Sequence, residues 1–200
     1  MNAAGRSSAA EAMASVPIAS DGAAAAKTAG RRWLWPMIVL VTAPIVLIDQ
    51  LSKLYVSSHF RLDQSLPLIP DWIDLTYTQN PGAAFSLFAT MPQWFRHAFF
   101  VALSAAAIVV LAVLMARRTT PARMAAAFAL VLGGTIGNLI DRLARGLVTD
   151  FIYFHHGSFS YPVFNVADSA ITAGVAMILI FSWLDDRAAA RTAGGGPERN

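Results

Sequence analysis

Four long apolar stretches, separated by polar segments, set the pattern of the chain. The first begins at WLWPMIVLVTAPIVLI and runs to about Tyr55, and the others begin near His97, Ala122 and Val166. Each approaches the roughly 20 residues that an α-helix needs to cross a bilayer. The pattern therefore predicts a membrane all-α fold with four transmembrane helices.

Two of the connecting segments carry residues typical of β-strands. WIDLTYT, residues 72–78, is one, and VTDFIYFHHGSFSYPVFNV, residues 148–166, resembles a hairpin that turns at HHGS. In that hairpin we expect Phe154 to pair with about Phe159, which places Asp150 across from about Val163. Pro162 indicates an edge strand for the second arm, because proline cannot donate to a ladder. A small β element is therefore predicted beside the helices.

Composition supports a membrane protein. The hydrophobic fraction is 56% and the charged fraction is only 14%, whereas soluble domains carry about 25% charged residues. The absence of cysteine excludes disulfides, thiolate nucleophiles and cysteine metal sites. A net charge of +3 without a polybasic block argues against a nucleic acid partner.

Arginines flank the four spans on one side. They are Arg31 and Arg32 before the first span, Arg117, Arg118 and Arg123 between the second and third, and Arg187 and Arg191 after the fourth. Because basic residues favour the cytoplasmic side, both termini are predicted to be cytoplasmic. The β-type segments would then face outward.

The two ends of the chain differ from the region between them. Residues 1–30 are rich in Ala, Ser and Gly without apolar periodicity, which predicts a disordered N-terminal tail. We expect no signal peptide there, because no apolar core precedes a cleavage site. Residues 31–186 form the predicted four-helix membrane domain, and residues 187–200 are predicted to be a flexible C-terminal tail.

Polar side chains collect at the outer ends of the spans. They are Asp49 and Lys53 on the first span, Asn138, Asp141 and Arg142 on the third, Asp150 in the hairpin and Asp168 on the fourth. These ends share one side of the membrane, so four acids should lie at one depth. A carboxylate at the membrane boundary is costly unless it is used or neutralised.

The hairpin brings two of these acids together. If the chain turns at HHGS, Asp150 and Asp168 can lie side by side. Paired carboxylates in a partly dry site do not both ionise easily, so one keeps its proton and the pair titrates as a unit. The ionised partner can draw a proton from water while the protonated one bonds a substrate carbonyl. This is the arrangement of the aspartic proteases.

Several of these residues also have a structural interpretation. Asp168 suits a helix N-terminus, where the helix dipole favours negative charge. Asp49 and Lys53 are four residues apart, so they share a helix face and can form a structural pair. Asp141 and Arg142 can form an orienting ion pair.

Two other segments carry weaker signals. In TQNPGAAFSLF, residues 78–88, Asn-Pro-Gly marks a turn. The small residues that follow leave a bare backbone that can approach a ligand closely, or they simply pack against a helix. The adjacent His155 and His156 have poor spacing for metal ligands, so we interpret them as loop residues and predict no metal site.

Five motifs together resemble a known family. LIDQLSK, NPGAAFS, GGTIGNLIDRL, VTDFI and FNVADSAI are similar, in order, to the motifs of the lipoprotein signal peptidases, also called signal peptidase II. The resemblance runs from about Trp33 to Leu184. The family consists of bacterial intramembrane aspartic endopeptidases. They cleave the signal peptide from prolipoproteins before a cysteine that already carries a diacylglyceryl group.

The resemblance assigns roles to residues of this chain. It implies a catalytic dyad of Asp150 and Asp168 within a peptidase domain spanning 31–186. It also implies support or substrate binding by Asp49, Lys53, Asn80, Gly82, Asn138, Asp141, Arg142 and Asn165. No metal or organic cofactor is expected.

The resemblance also implies partners and a location. The expected partners are diacylglyceryl-prolipoproteins and membrane lipid, with no nucleic acid, and nothing requires more than a monomer. The expected location is the bacterial cytoplasmic (inner) membrane, as a multi-pass protein with its active site at the outer, periplasmic face.

Three other functions compete with this one. A proton-coupled transporter should carry ionisable groups to the middle of the membrane, and the inner halves of these spans are bare of charge. A Ser-Lys peptidase would have to use Ser52 and Lys53, which are adjacent and so point to different helix faces. A non-enzymatic scaffold would not need two acids brought together by a hairpin.

Overall fold

In the computed structural model, the structure describes residues 34–82 and 91–194. Residues 1–33, 83–90 and 195–200 lie outside this part of the chain, and they include the predicted tail at 1–30 and the NPGAAFSLF segment from residue 83 onward.

Four helices form the body of the protein. They are α1 (Leu34–His59), α2 (Gln93–Ala116), α3 (Ala122–Arg145) and α4 (Val166–Gly194). All four are long and apolar enough to cross a membrane. The prediction of a four-helix membrane fold is therefore confirmed.

The α3 helix lies at the centre of the bundle. About 56% of the most apolar stretch of α3 is buried inside the protein, against 11–17% of the corresponding stretches of the other three helices. The GGTIG sequence explains this position, because an added Cβ at Gly137 would lie 2.5 Å from Asp49 Oδ2 on α1, and one at Gly134 would meet Ala167 O and Ile171 on α4. Small residues at these points let neighbouring helices approach closely, as in other membrane bundles.

The last helix is longer than its predicted span. It continues to Gly194, so the predicted boundary at residue 187 falls inside α4. The sequence RAAAR at residues 187–191 accounts for the extension. Alanine and arginine have high helix propensity, so the helix does not need apolar surroundings to continue.

A four-stranded antiparallel sheet covers one end of the bundle. Its strands are β1 (Ser65–Ile69), β2 (Ile73–Asn80), β3 (Val148–His156) and β4 (Phe159–Ser160), in that order. The β1 strand is exposed along its whole length and contains Pro67, a residue that argues against a strand when only the sequence is read. The sheet pairs Thr78 with Asp150, which joins the segment between α1 and α2 to the hairpin between α3 and α4.

The register of the hairpin differs from the predicted one by two residues. His156 pairs with Phe159 and His155 with Ser160, and Tyr161 N donates to Phe154 O at 2.9 Å. Phe154 therefore faces Tyr161 rather than Phe159. The turn is tighter than HHGS, since two residues between the strands suffice when Gly157 adopts a φ of 55°. As a result Asp150 lies beside Asn165 rather than Val163.

The close packing of α3 against α4 should be sensitive to one added methyl group. In Gly134→Ala the new Cβ would meet the backbone of Ala167, which cannot rotate away as a side chain can. We expect a loss of about 1–3 kcal/mol in the free energy of unfolding, measured by thermal unfolding in detergent. Ala102→Val, which adds bulk on an exposed face of α2, is the control. Equal stability of the two variants would contradict the packing account.

Candidate active site

A buried lysine joins two helices at the sheet end of the bundle. Lys53 Nζ on α1 lies 2.8 Å from Asp49 Oδ2 and 3.1 Å from Asp141 Oδ2 on α3. The lysine and Asp49 are 0% exposed and Asp141 is 1% exposed. The pairing of Asp49 with Lys53 agrees with the i,i+4 prediction.

The expected Asp141–Arg142 ion pair gives way to other contacts. Asp141 interacts with Lys53 and, at 3.6 Å, with Arg145 one turn along α3. Consecutive helix residues point about 100° apart, so Arg142 faces elsewhere. Asp141 Oδ2 also accepts a hydrogen bond from Thr149 N at 3.1 Å, and thus anchors β3 to the bundle.

Lys53 also orients the side-chain amide of Asn138 through a third contact. Lys53 Nζ donates to Asn138 Oδ1 at 3.0 Å, and Asn165 Nδ2 donates to the same oxygen at 3.1 Å. The oxygen of the Asn138 amide is thereby identified by its two donors. Its Nδ2 points the other way and donates to Asp168 Oδ1 at 2.7 Å.

Asn165 and Asp168 cap the start of α4. Asp168 N donates to Asn165 Oδ1 at 2.9 Å, and Asn165 N donates to Asp168 Oδ2 at 3.2 Å. This reciprocal pair is a capping box, in which residues three apart satisfy each other's backbone N–H. Ala167 N donates a hydrogen bond to Asp49 Oδ1 at 2.9 Å. The helix-terminus interpretation of Asp168 is thus correct, and it does not exclude a second role.

Asn165 also bridges the two acids of the predicted dyad. Its Nδ2 donates to Asp150 Oδ1 at 2.6 Å, while its backbone N–H bonds Asp168. On the other side of Asp150, Asn80 Nδ2 donates to Oδ2 at 3.1 Å. One asparagine therefore holds both carboxylates, one from β3 and one from the start of α4.

Burial and a neighbouring charge change the titration of Asp150. Desolvation disfavours its ionised form, and the charge of Asp168 disfavours it further, so the pKa of Asp150 rises from 3.8 to about 7. The hydrogen bonds from Asn80 and Asn165 act in the opposite direction but are weaker. At neutral pH this carboxyl group can therefore hold or release a proton.

The turn after β2 completes the site. Gly82 has a φ of 87° and donates from its N–H to Asn80 Oδ1 at 2.9 Å. Its backbone packs against Phe100 of α2, whose ring also lies 5.1 Å from Arg142 Cζ. Arg142 Nη1 donates to Asn138 O at 3.3 Å. Phe100 was not predicted, because an aromatic residue inside an apolar helix gives no separate signal.

An apolar groove opens beside Asp168. It has a volume of about 540 Å³ and runs between the sheet and α4. Its walls include Ile73, Ile152 and Phe164 on one side and Thr172, Ala173 and Ala176 on the other. A groove with apolar walls and one carboxylate at its mouth suits a mostly apolar ligand with a reactive polar group.

The interpretation of His155 and His156 as loop residues is wrong, because both belong to the end of β3, away from the dyad. His155 Nε2 is 3.3 Å from Asp74 Oδ1, and the ring of His156 stacks on Trp72 with 3.9 Å between the centroids. Within the described part of the chain, no group of three or more His, Cys, Asp or Glu side chains is placed to hold a metal ion.

Comparison with known sequences identifies the family. The family described as "Signal peptidase (SPase) II" matches residues 41–184. The chain belongs to this family. It is therefore an aspartic peptidase of the signal peptidase II type, and the dyad geometry agrees with that chemistry.

Relatives match over most of their length. The "Lipoprotein signal peptidase" of Photorhabdus laumondii subsp. laumondii is 44% identical over 156 residues, which cover 78% of this chain and 89% of the relative. The protein of the same name from Yersinia enterocolitica serotype O:8 is 44% identical over 151 residues, covering 75% and 85%.

Solved structures show the same fold. One, described as a bacterial membrane enzyme, has a TM-score of 0.64 and 27% identity, covering 81% of this chain and 92% of its own. A second, with the same description, has a TM-score of 0.62 and 29% identity, covering 71% and 89%.

The buried lysine should matter for stability far more than an exposed ion pair. Lys53→Met would leave Asp49 buried without a cation and Asp141 with only the partly exposed Arg145. Removing one partner of a buried pair typically destabilises by about 3–5 kcal/mol. We therefore expect a large fall in the thermal unfolding midpoint of the detergent-solubilised protein.

The control is Arg123→Met, which breaks an ion pair with Asp185 whose side chains are both 48% exposed. An exposed pair of this kind contributes about 0–1 kcal/mol. If Lys53→Met proved as stable as Arg123→Met, the buried cluster would not hold α1 to α3.

Proposed function

We propose that this chain removes the signal peptide from diacylglyceryl-modified prolipoproteins, with Asp150 and Asp168 as its catalytic dyad. The observation that carries the proposal is that Asn165 holds both carboxylates, through its side-chain amide and its backbone N–H, and that Asp168 lines an apolar groove. Membership of the signal peptidase II family supports the reaction type. The names of the relatives support the substrate class.

The first step is the attack of water on the scissile carbonyl. Asp150 holds a proton near neutral pH, as its raised pKa of about 7 favours. Asp168 lies in the first turn of α4, where the helix dipole favours a negative charge. Asp168 therefore accepts a proton from water as the water oxygen bonds to the carbonyl carbon. The Asp150 proton passes to the carbonyl oxygen, and a gem-diol results.

The second step breaks the peptide bond. Asp168 returns its proton to the peptide nitrogen, and Asp150 recovers a proton from one hydroxyl of the gem-diol. The C–N bond then breaks, with the electron pair leaving on nitrogen. The products are the signal peptide carboxyl group and the free amine of the modified cysteine, and the dyad regains its starting protonation.

The surrounding polar residues keep the two carboxylates in place. Asn80, Asn138 and Asn165 supply amide donors to them. Each carboxylate thus accepts two hydrogen bonds from fixed N–H groups, which limits its rotation. We assign support roles to Asp49, Lys53, Asp141, Arg142 and Gly82 for the same reason.

The position of the dyad suits a substrate that is partly in the membrane. Asp150 lies in β3 and Asp168 at the start of α4. Asp150 is only 2% exposed, whereas Asp168 is partly exposed and lines the groove, through which water would reach the dyad. The groove beside α4 is apolar and follows a helix long enough to span a membrane. The signal peptide and the diacylglyceryl chains would approach the acids along this lipid-facing side.

We further propose that the protein acts as a monomer in the bacterial inner membrane. The flanking arginines favour cytoplasmic termini. With an even number of spans, the sheet and the dyad would then lie at the outer, periplasmic face.

Replacing either carboxyl group of the dyad should abolish cleavage. In Asp150→Asn or Asp168→Asn the side chain keeps its size but loses its titratable group. We expect kcat on a diacylglyceryl-modified prolipoprotein to fall by about a thousandfold or more, measured with purified, folded protein.

Asp71→Asn is the matched control, since Asp71 is an exposed turn residue with a φ of 64° that asparagine also tolerates. This control should cleave like the wild type. Near wild-type activity in either dyad variant would remove that carboxylate from the mechanism.

The rate should fall as pH rises through neutrality. The working dyad carries one proton, and Asp150 loses it above its pKa of about 7. We therefore expect kcat/KM to fall about tenfold per pH unit on the alkaline side.

The free energy of unfolding should also depend on pH through the carboxyl group of Asp150. Because the pKa of Asp150 rises from 3.8 to about 7 on folding, the folded protein holds a proton that the unfolded chain has released. The free energy of unfolding should therefore decrease as pH rises between these values. Asp150→Asn should lose this component, and an unchanged profile would argue against the raised pKa.

A further inference from the structure

Phe100, on α2, contacts two parts of the site at once. Its ring lies against the backbone of Gly82, where an added Cβ would come within 2.5 Å of Cε2 and 2.6 Å of Cδ2. The same ring lies 5.1 Å from Cζ of Arg142 on α3, within the range of a cation–π interaction. Phe100 therefore separates the turn after β2 from the guanidinium group.

The contact between Phe100 and Gly82 affects Asp150 through the side chain of Asn80. Gly82 N donates to Asn80 Oδ1, which leaves the Nδ2 of that amide to donate to Asp150 Oδ2. The place of the glycine thus determines which atom of Asn80 faces the carboxylate. A shift of the turn would move this donor.

The contact with Arg142 bears on the dyad through charge. Arg142 is attracted by both Asp168 and Asp150, and its Nη1 also bonds Asn138 O. An aromatic face favours a guanidinium above it more than an aliphatic side chain does. The ring therefore helps to keep the cation near the carboxylates.

We propose that Phe100 is a positioning residue of the peptidase, which holds the Gly82 turn and the Arg142 guanidinium in register with the dyad. The inference rests on the proposed function of Asp150 and Asp168. It adds a residue from α2, a helix that contributes none of the predicted site residues. Phe100 acts through its two neighbours and need not touch the substrate.

The test is Phe100→Leu, which keeps an apolar side chain but removes the flat ring. Because misplaced catalytic groups slow the chemical step, we expect kcat to fall about tenfold with a smaller change in KM. A loss of folded protein alone would lower the amount of active enzyme without changing kcat per folded molecule. Size-exclusion chromatography and circular dichroism measure the folded fraction.

The pH profile gives a second readout. The charged groups that face Asp150 are Asp168 from α4, Lys53 from α1 and Arg142 from α3. Loosening the Asn80 donor and moving Arg142 away both favour the protonated form of Asp150. The alkaline limb of the profile should therefore shift to higher pH in Phe100→Leu.

The matched control is Phe181→Leu. Phe181 on α4 also lies beside an arginine, with Arg123 Cζ 5.7 Å from its ring centroid, and both lie at the far end of the bundle from the dyad. This variant should keep kcat and the pH profile of the wild type. If Phe100→Leu behaves like Phe181→Leu, the positioning role is overturned.

A double-mutant cycle tests the contact itself. Gly82→Ala places a methyl group against the Phe100 ring, and leucine, which can rotate away, should relieve part of that clash. The kcat loss from Phe100→Leu should thus be smaller in the Gly82→Ala background than in the wild type. Strictly additive losses would overturn the inference. Asp150→Asn, run in parallel, shows separately whether the proposed dyad holds.

Discussion

The buried ammonium group of Lys53 is the interaction on which the rest of the site depends. It makes three contacts within hydrogen-bond distance, to Asp49, Asp141 and Asn138, and it is fully shielded from solvent. A buried charge is tolerated only when its partners compensate for lost hydration. Those partners come from two helices, so satisfying this one group fixes how α1 meets α3. The other oxygen of Asp49, Oδ1, accepts a hydrogen bond from Ala167 N in the first turn of α4.

The same network determines the chemistry. Lys53 orients the Asn138 amide, Asn138 and Asn165 orient each other, and their remaining donors reach Asp168 and Asp150. Hydrogen bonds in a poorly hydrated site strengthen one another when every group is satisfied. The two acids are thus held by groups that are themselves held, and the capping of α4 and the placement of Asp168 become a single structural requirement.

The helices and the sheet contribute different residues to the site. The α3 helix is glycine-lined and central, so it can bring α1 and α4 within reach of one cluster. The sheet delivers Asp150 from β3 and the Asn80 amide from the end of β2. Because the site forms where the two meet, it takes one carboxylate from the sheet and the other from the first turn of α4.

Features that depend on local spacing can be predicted from the order of residues alone. Apolar length predicts the four spans, the i,i+4 rule predicts the Asp49–Lys53 pair, and the acids near the span ends indicate the level of the site. Motif resemblance named the dyad and its supporting residues. Local patterns also limited what could be predicted: the β1 strand contains a proline and buries no face, and the hairpin register depends on a tight glycine turn.

Which distant groups meet depends on how the helices and the sheet pack together. Asp141 pairs with Lys53 rather than with its neighbour Arg142. Asn165 bridges the two carboxylates of the dyad. Phe100 contacts both Gly82 and Arg142. The physical reason is that such contacts depend on the direction of each side chain after the helices have packed. Packing here follows from glycine contacts and one buried charge, and the sequence around these residues does not say which distant element each of them will meet.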